Sequence, residues 1–283
     1  MPLITLLTDF GSRDEYVGVM KGVIAGVNPE ARVIDICHHI EPQNIVHGAF
    51  ILAAAYAYFP AGTVHAAVVD PGVGGDRRIL ALEGDGHRFV VPDNGLIERV
   101  MASAGITTVV AVEKRRYFRE PVSPTFHGRD IFAPVAAHLS AGLPLTELGP
   151  GVDHRSLAGG IIPKSRMPAP ETIEGVVVAA DHFGNLLTNI DADDIDRLAR
   201  RAGDGAVTVE VADRPIGGLV PFYGAAAGQV PLAVLGSRGL LEVSVNCGNA
   251  REVLKAAVGD RVCVRIDRAP VPSDISEVSP IHG

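Results

Sequence analysis

Asp70, Arg77 and His127 are the side chains in this sequence whose types and setting best suit chemistry. Asp70 closes the apolar run His65-Ala66-Ala67-Val68-Val69, which suits a buried strand. Its carboxylate is therefore expected at a strand's carboxyl end, where open α/β sheets collect their ligands. Pro71 stops that strand, and Gly72, Gly74 and Gly75 permit backbone angles and close approaches that a Cβ would forbid. A tight turn of this kind brings Asp70 and Arg77 near one another. An arginine beside an aspartate favours the charged carboxylate, and an imidazole near both could orient a water or accept its proton. Taken singly, the same residues read as a β-turn with a solvated arginine pair and a loop histidine bonded to backbone.

Other polar groups fall at element ends. Asp9 and Asp14 flank the junction between the strand Leu3 to Leu7 and a helical pattern of Tyr16, Val19, Met20, Val23 and Ile24. Asp181-His182-Phe183-Gly184-Asn185 follows a strand, and its Asp181 and Asn185 could grip amine, hydroxyl or purine-edge groups; the alternative is an Asx-type hairpin turn. Ser237 and Arg238 lie between two strands, where the guanidinium suits a carboxylate, or else is an exposed hairpin arginine. Phe222 and Tyr223, in a Gly- and Ala-rich loop, offer a flat face for a nucleobase or simply plug a core. No metal is expected, because His38, His39, His47 and His65 lack ligand spacing. The Asp191, Asp193, Asp194 and Asp196 run lacks the glycine and closing Glu of a calcium loop, and better caps a helix. The Asp70 turn lacks the Gly-Lys-Ser/Thr ending of a P-loop.

The elements that must position these groups fall into two textures. Alternating strands and helices over residues 1–163 predict an α/β domain with a mostly parallel sheet between helices. Residues 164–171, framed by Pro163, Pro168 and Pro170, read as a linker. Residues 172–268 are rich in short strands and predict a smaller all-β, barrel-like domain, interrupted by helical patterns at 192–201 and 250–257. Residues 269–283 lack periodicity and are expected to be a flexible tail.

With 283 residues, 47% apolar and 20% charged, the chain can bury a sizeable core and is not of disordered or fibrous composition. Its net charge of −8 is spread along the length without a basic stripe, so nucleic acid is not an expected partner. Cys37, Cys247 and Cys263 each sit in an apolar setting and read as reduced core residues of a reducing compartment. No basic leader opens the sequence and no apolar run approaches the roughly 20 residues that span a bilayer, so a cytoplasmic protein without membrane contact is expected.

Taken in order, seven motifs resemble one family. They are Thr8-Asp9-Phe10-Gly11 with Asp14, Tyr16, Lys21 and Gly22; Val69-Asp70-Pro71-Gly72-Val73-Gly74 with Arg77-Arg78; Pro92-Asp93-Asn94-Gly95; Phe126-His127-Gly128-Arg129-Asp130; Phe183-Gly184-Asn185; Thr188-Asn189; and Ser237-Arg238-Gly239. The family is the S-adenosyl-L-methionine hydroxide adenosyltransferases, relatives of the fluorinating and chlorinating enzymes that use the same substrate. The resemblance implies hydrolysis of S-adenosyl-L-methionine at C5′ to adenosine and L-methionine, with no further cofactor. It also implies a homotrimer with sites at subunit interfaces. By that similarity Asp70, Arg77 and His127 hold and activate the water, and Asp9 binds the ribose hydroxyls. Asp14, Asp181, Ser237 and Arg238 would hold the methionine part, while Phe222 and Asn185 would face the adenine. The halogenating relatives carry aromatic residues where Asp70 and His127 stand here, and a carboxylate would repel a halide. The alternatives are a halogenase using chloride, a non-catalytic sensor of the nucleoside and, more weakly, a nucleotide phosphatase.

Overall fold

The chain begins with β1 (Leu3–Thr8), an apolar strand buried from Ile4 onward. Then comes α1 (Tyr16–Val27), which buries Val17, Met20 and Ile24 along one face. In this computed structural model, which describes residues 1–202 and 206–267, the first unit ends at Ile162 and the second begins at Pro163. The first continues through β2 (Arg32–Cys37), α2 (Ile45–Ala55), β3 (Val64–Val68), β4 (Ile79–Gly84), β5 (His87–Pro92), α3 (Glu98–Ser103), β6 (Ile106–Ala111) and α4 (Ala133–Ser140). Asn44 starts α2 by accepting the His47 N–H on its side-chain oxygen at 2.9 Å. A π-helical turn, Gly128–Phe132, leads directly into α4.

The six strands lie in the order β2-β1-β3-β5-β4-β6. β1 pairs in parallel with β2 and β3, and β3 with β5, whereas β4 is antiparallel to both β5 and β6. The sheet is therefore mixed, and the expectation of a mostly parallel sheet missed the reversed strand. Its cause is local: Asp85 and Gly86, at φ +49° and +76°, close a two-residue hairpin between β4 and β5. The chain steps from β1 to β2 on one side and to β3 on the other. This makes the carboxyl ends of β1 and β3 a topological switch point. Ile4, Leu6, Val64, Ala66 and Val68 on one face of these strands pack with Met20 and Ile24 of α1 and Val135 and Leu139 of α4.

The opposite face carries a buried polar row. Thr5 and His65 are register partners on β1 and β3, joined at 2.7 Å between Oγ1 and Nδ1, and His65 Nε2 meets His87 Nδ1 at 3.2 Å. Tyr56, Phe59 and Phe89 wall the pair. Burial first, and the neighbouring His87 second, push His65 down to about 3.

The turn after β3 is fixed against a distant loop. Gly74 sits at φ +78°, and a Cβ there would collide with the Pro124 carbonyl oxygen. That contact seats the turn carrying Asp70 and Arg77 against the segment that leads to His127.

The second unit comprises β7 (Arg166–Ala169), β8 (Thr172–Ala180), β9 (Leu186–Asp191), α5 (Ala192–Ala202), β10 (Ala206–Val211), β11 (Arg214–Gly217), β12 (Leu219–Val220), β13 (Pro231–Leu235), β14 (Leu240–Val245), α6 (Ala250–Leu254) and β15 (Arg261–Asp267). Its strands run β11-β10-β15-β8-β9-β14-β13-β12, with β7 paired to β8. The sheet curls into a half-barrel, with β10 and β11 lying near β12 and β13. Part of the expected linker is thus a strand, since the Arg166–Glu174 and Ala169–Thr172 pairings draw residues 166–169 onto β8. The unit is not all-β: Ile195 and Leu198 of α5 bury with Ile173, Leu241 and Val264. The tail expected at 269–283 lies outside the described residues. Among those residues, no helix is long and apolar enough to cross a membrane.

Two outcomes follow from this packing. Gly74→Ala combines a left-handed backbone with a clash against a carbonyl, so urea unfolding should show a loss of roughly 1–3 kcal/mol; an unchanged midpoint would contradict the fit. The unfolded chain protonates His65 through about pH 6.5, whereas the folded chain resists down to about 3. Stability should therefore fall as pH drops through that window, by at most on the order of 4 kcal/mol. Replacing His65 with leucine should flatten the fall in Tm between pH 7 and 4, and an unaltered slope would exclude this source.

Candidate active site

Two successive turns after β3 return the chain over Asp70: the Val73 N–H donates to the Asp70 carbonyl at 3.2 Å, and the Gly75 N–H to the Gly72 carbonyl at 3.0 Å. Arg77 thereby grips its own turn's carboxylate. Its Nε donates to Asp70 Oδ1 and Oδ2 at 3.0 and 2.9 Å, and its Nη2 to Oδ2 at 2.5 Å. The same Nη2 donates to His127 Nδ1 at 2.8 Å, so one guanidinium joins three residues from two distant segments. The pair is nearly out of water, with side-chain exposures of 12% for Arg77 and 4% for Asp70. Burial and then the Arg77 charge hold His127 below the usual histidine range, while Asp70 and Asp130 act in the opposite sense.

The loop that supplies His127 is anchored from below. Fully buried Asp130 accepts from Arg129 Nε and Nη2 at 2.7 and 2.8 Å and from the Ser123 N–H at 2.9 Å. Phe10, Tyr16 and Phe126 meet edge to face, with centroids 5.1 to 6.0 Å apart. Phe10 and Phe126, with Val68 and Val73, help enclose a cavity of about 40 Å³ that Asp70 and His127 also line. A water needs roughly 10–15 Å³ of such space. The cavity thus suits a small nucleophile held between a carboxylate and an imidazole.

Asp9 stands at the end of β1 beside β3, half-buried, and its Oδ2 accepts the Gln43 N–H at 2.8 Å. Asp14 is exposed in the loop before α1. Thr8 Oγ1 meets His38 Nδ1 at 2.8 Å, His38 Nε2 meets Asp35 at 3.1 Å, and Lys21 reaches Asp35 at 2.6 Å. This chain of contacts braces the Asp9 loop. His38, weighed from sequence only as a metal ligand, is one of its members. Among the described residues, no group of three or more His, Cys, Asp or Glu is placed to hold a metal ion.

The second unit has a cavity of about 580 Å³ lined by Asp181, Phe183, Asn185, Tyr223, Asn246 and Cys247, with Val245 and Gly248. Asp181 Oδ1 accepts the N–H groups of Phe183 and Asn185, each at 2.9 Å, and Asn185 Nδ2 donates to Asp181 Oδ2 at 2.9 Å. The Asx-type turn is therefore present, and its Asp181 and Asn185 also line the cavity. The Tyr223 hydroxyl donates to buried Glu242 at 3.0 Å, and burial followed by that carboxylate pushes Tyr223 up to about 12. Phe222 is exposed next to Tyr223, and Ser237 and Arg238 are exposed at the β13–β14 hairpin tip; none of the three lines this cavity. Asn246 escaped the sequence reading, and Phe183 and Cys247 entered it only as a motif member and a core cysteine, although Asn246-Cys247-Gly248-Asn249 is turn chemistry directly after a strand. Cys247 also corrects the view of three core cysteines: Cys263 is buried and Cys37 partly so, but Cys247 is exposed, at φ +55° in that turn.

Comparison with known proteins places the chain in a family. The family model described as SAM hydroxide adenosyltransferase N-terminal domain matches residues 4–149, and the corresponding C-terminal domain model matches residues 175–263. A Salinispora tropica protein named (R)-S-adenosyl-L-methionine hydrolase is 38% identical, over 93% of this chain and 97% of that one. A fluorinase from Actinoplanes is 30% identical, over 87% and 91%. The crystal structure of an uncharacterized conserved protein from Thermotoga maritima superposes with a TM-score of 0.84 at 36% identity, covering 93% of this chain and 99% of that one. On both the family models and these identities, the chain belongs to the SAM hydroxide adenosyltransferase family.

Proposed function

We propose that the protein hydrolyses S-adenosyl-L-methionine at C5′ with water, giving adenosine and L-methionine. The observation that carries this reading is the small cavity, large enough for a water, that Asp70 and His127 line, both bonded to Arg77. The relative named a hydrolase of this compound supports the choice of substrate. The sulfonium makes C5′ electrophilic and departs as a neutral thioether, so the chemistry requires no general acid and no cofactor. What remains for the protein is to fix an oxygen in line behind the carbon, worth on the order of 7–11 kcal/mol at best.

The roles of the other residues belong to the same proposal. Asp9, at the switch point, binds the ribose hydroxyls. The 580 Å³ cavity has the size of a nucleoside-class site, with Asn185 at the adenine and Asp181 at the methionine amine. Asp14, Ser237 and Arg238 complete the methionine contacts, and Phe222 stacks on the base, in a cytoplasmic homotrimer whose barrel-like second domain contributes to sites at subunit interfaces. The exposed Phe222, Phe183 and Tyr223 support an assembled form in which a ligand or second subunit covers them.

A halide-using reading has the fluorinase relative in its favour and the Asp70 carboxylate against it. Hydrolysis in oxygen-18 water should place the label on the adenosine 5′ hydroxyl, and label in methionine instead would defeat in-line attack at C5′. Asp70→Asn should lower kcat by about 10²- to 10⁴-fold with folding retained. Added chloride should give no halogenated nucleoside; its appearance in the wild type would favour the halogenase, and binding without turnover would favour a sensor.

A further inference from the structure

Arg77 determines which way round His127 works. A guanidinium has only N–H donors, so the 2.8 Å bond from Arg77 Nη2 makes His127 Nδ1 an acceptor. The hydrogens suffice: Nε carries one and serves Asp70, while Nη2 carries two, one for Asp70 Oδ2 and one for the imidazole. With a lone pair on Nδ1, the proton of the neutral ring must sit on Nε2, the nitrogen on the far side of the ring from Arg77. Protonating the ring would set an N–H against an N–H at 2.8 Å. Partial burial and the guanidinium charge disfavour that state, against the weaker opposing pull of Asp70 and Asp130.

We infer that His127 acts as a hydrogen-bond donor to the attacking oxygen through Nε2–H, held in that tautomer by Arg77, and that Asp70 receives the water's proton. The identity of the oxygen rests on the hydrolytic reading above; the tautomer does not. The water donates one O–H to Asp70 and accepts the Nε2–H, which leaves a lone pair for C5′. That pair forms the C5′–O bond, the C5′–S pair returns to sulfur as the neutral thioether, and the proton passes to Asp70 and then to solvent. The oxygen becomes a protonated alcohol as its bond to carbon forms, a far stronger acid than any carboxylic acid. A carboxylate already committed to Arg77 is therefore base enough, and an imidazole base is superfluous.

Two measurements test this. Two-bond nitrogen–proton NMR on the ¹⁵N-labelled full chain without substrate, with His127 assigned by its loss in His127→Gln, should show the neutral Nε2–H form at pH 7. An Nδ1–H form or an imidazolium would overturn the inference. Turnover of S-adenosyl-L-methionine then compares two variants of matched stability. In His127→Gln the amide reaches the place of Nε2, whereas in His127→Asn it reaches only that of Nδ1. The Asn variant should lose about 10²- to 10³-fold in kcat and the Gln variant stay within about tenfold of wild type. A Gln variant as impaired as Asn would overturn the donor role. Wild-type protein that leaves the substrate intact would sink the hydrolytic reading, and the NMR spectrum would still decide the tautomer.

Discussion

The bond set of one guanidinium, Arg77 to Asp70 and to His127, is the constraint around which the first unit's site is built. An ion pair this far from water carries a desolvation cost that only good geometry offsets, and removing one partner of such a pair typically costs about 3–5 kcal/mol. The geometry here is side-on and bidentate, and the remaining donor is used on the imidazole. The consequence is chemical as well as mechanical. The same contact fixes where Asp70 aims, sets the ring of His127 and assigns its proton.

Everything nearby serves to keep that bond set in place. β3 delivers Asp70 to the sheet's carboxyl edge, and the glycine turn folds Arg77 back over it. The Gly74–Pro124 approach locks the turn against the loop before His127, and buried Asp130 stiffens that loop from behind. This unit holds a cavity of about 40 Å³ and the other one of about 580 Å³, so the proposed reading assigns the small nucleophile to the first and the nucleoside-class ligand to the second.

Much of this was readable from residue types, and the parts that were not have identifiable causes. The apolar run into Asp70 and the glycines behind it placed the carboxylate at a strand end, because strand termination by Pro71 and positive-φ turns are local chemistry. The convergence of residues 50 apart in sequence was not local, and only coordinates supply it. The reversed β4 hid in plain view: Asp85-Gly86 is a two-residue hairpin signal, overlooked because alternating strands and helices dominated the reading. The strand at residues 166–169 was hidden by Pro168 and by Pro163 and Pro170 on either side, although an edge strand tolerates proline. For Phe222, Ser237 and Arg238 the residue types suit a ligand, and within their own unit they are exposed and lie off the cavity wall. Conversely, Asn246 has an unremarkable type and comes to notice only through position, and Cys247, taken from sequence for a core cysteine, lines the cavity.

The central claim, that Arg77 holds a carboxylate and a neutral imidazole around one reacting oxygen, is tested most directly by a crystal structure of the protein with adenosine bound. The 5′ oxygen of the nucleoside should lie within hydrogen-bond distance of both the Asp70 carboxylate and His127 Nε2, with Arg77 still bonded to each residue. A 5′ oxygen directed away from that pair, or an Arg77 released from His127, would contradict the account.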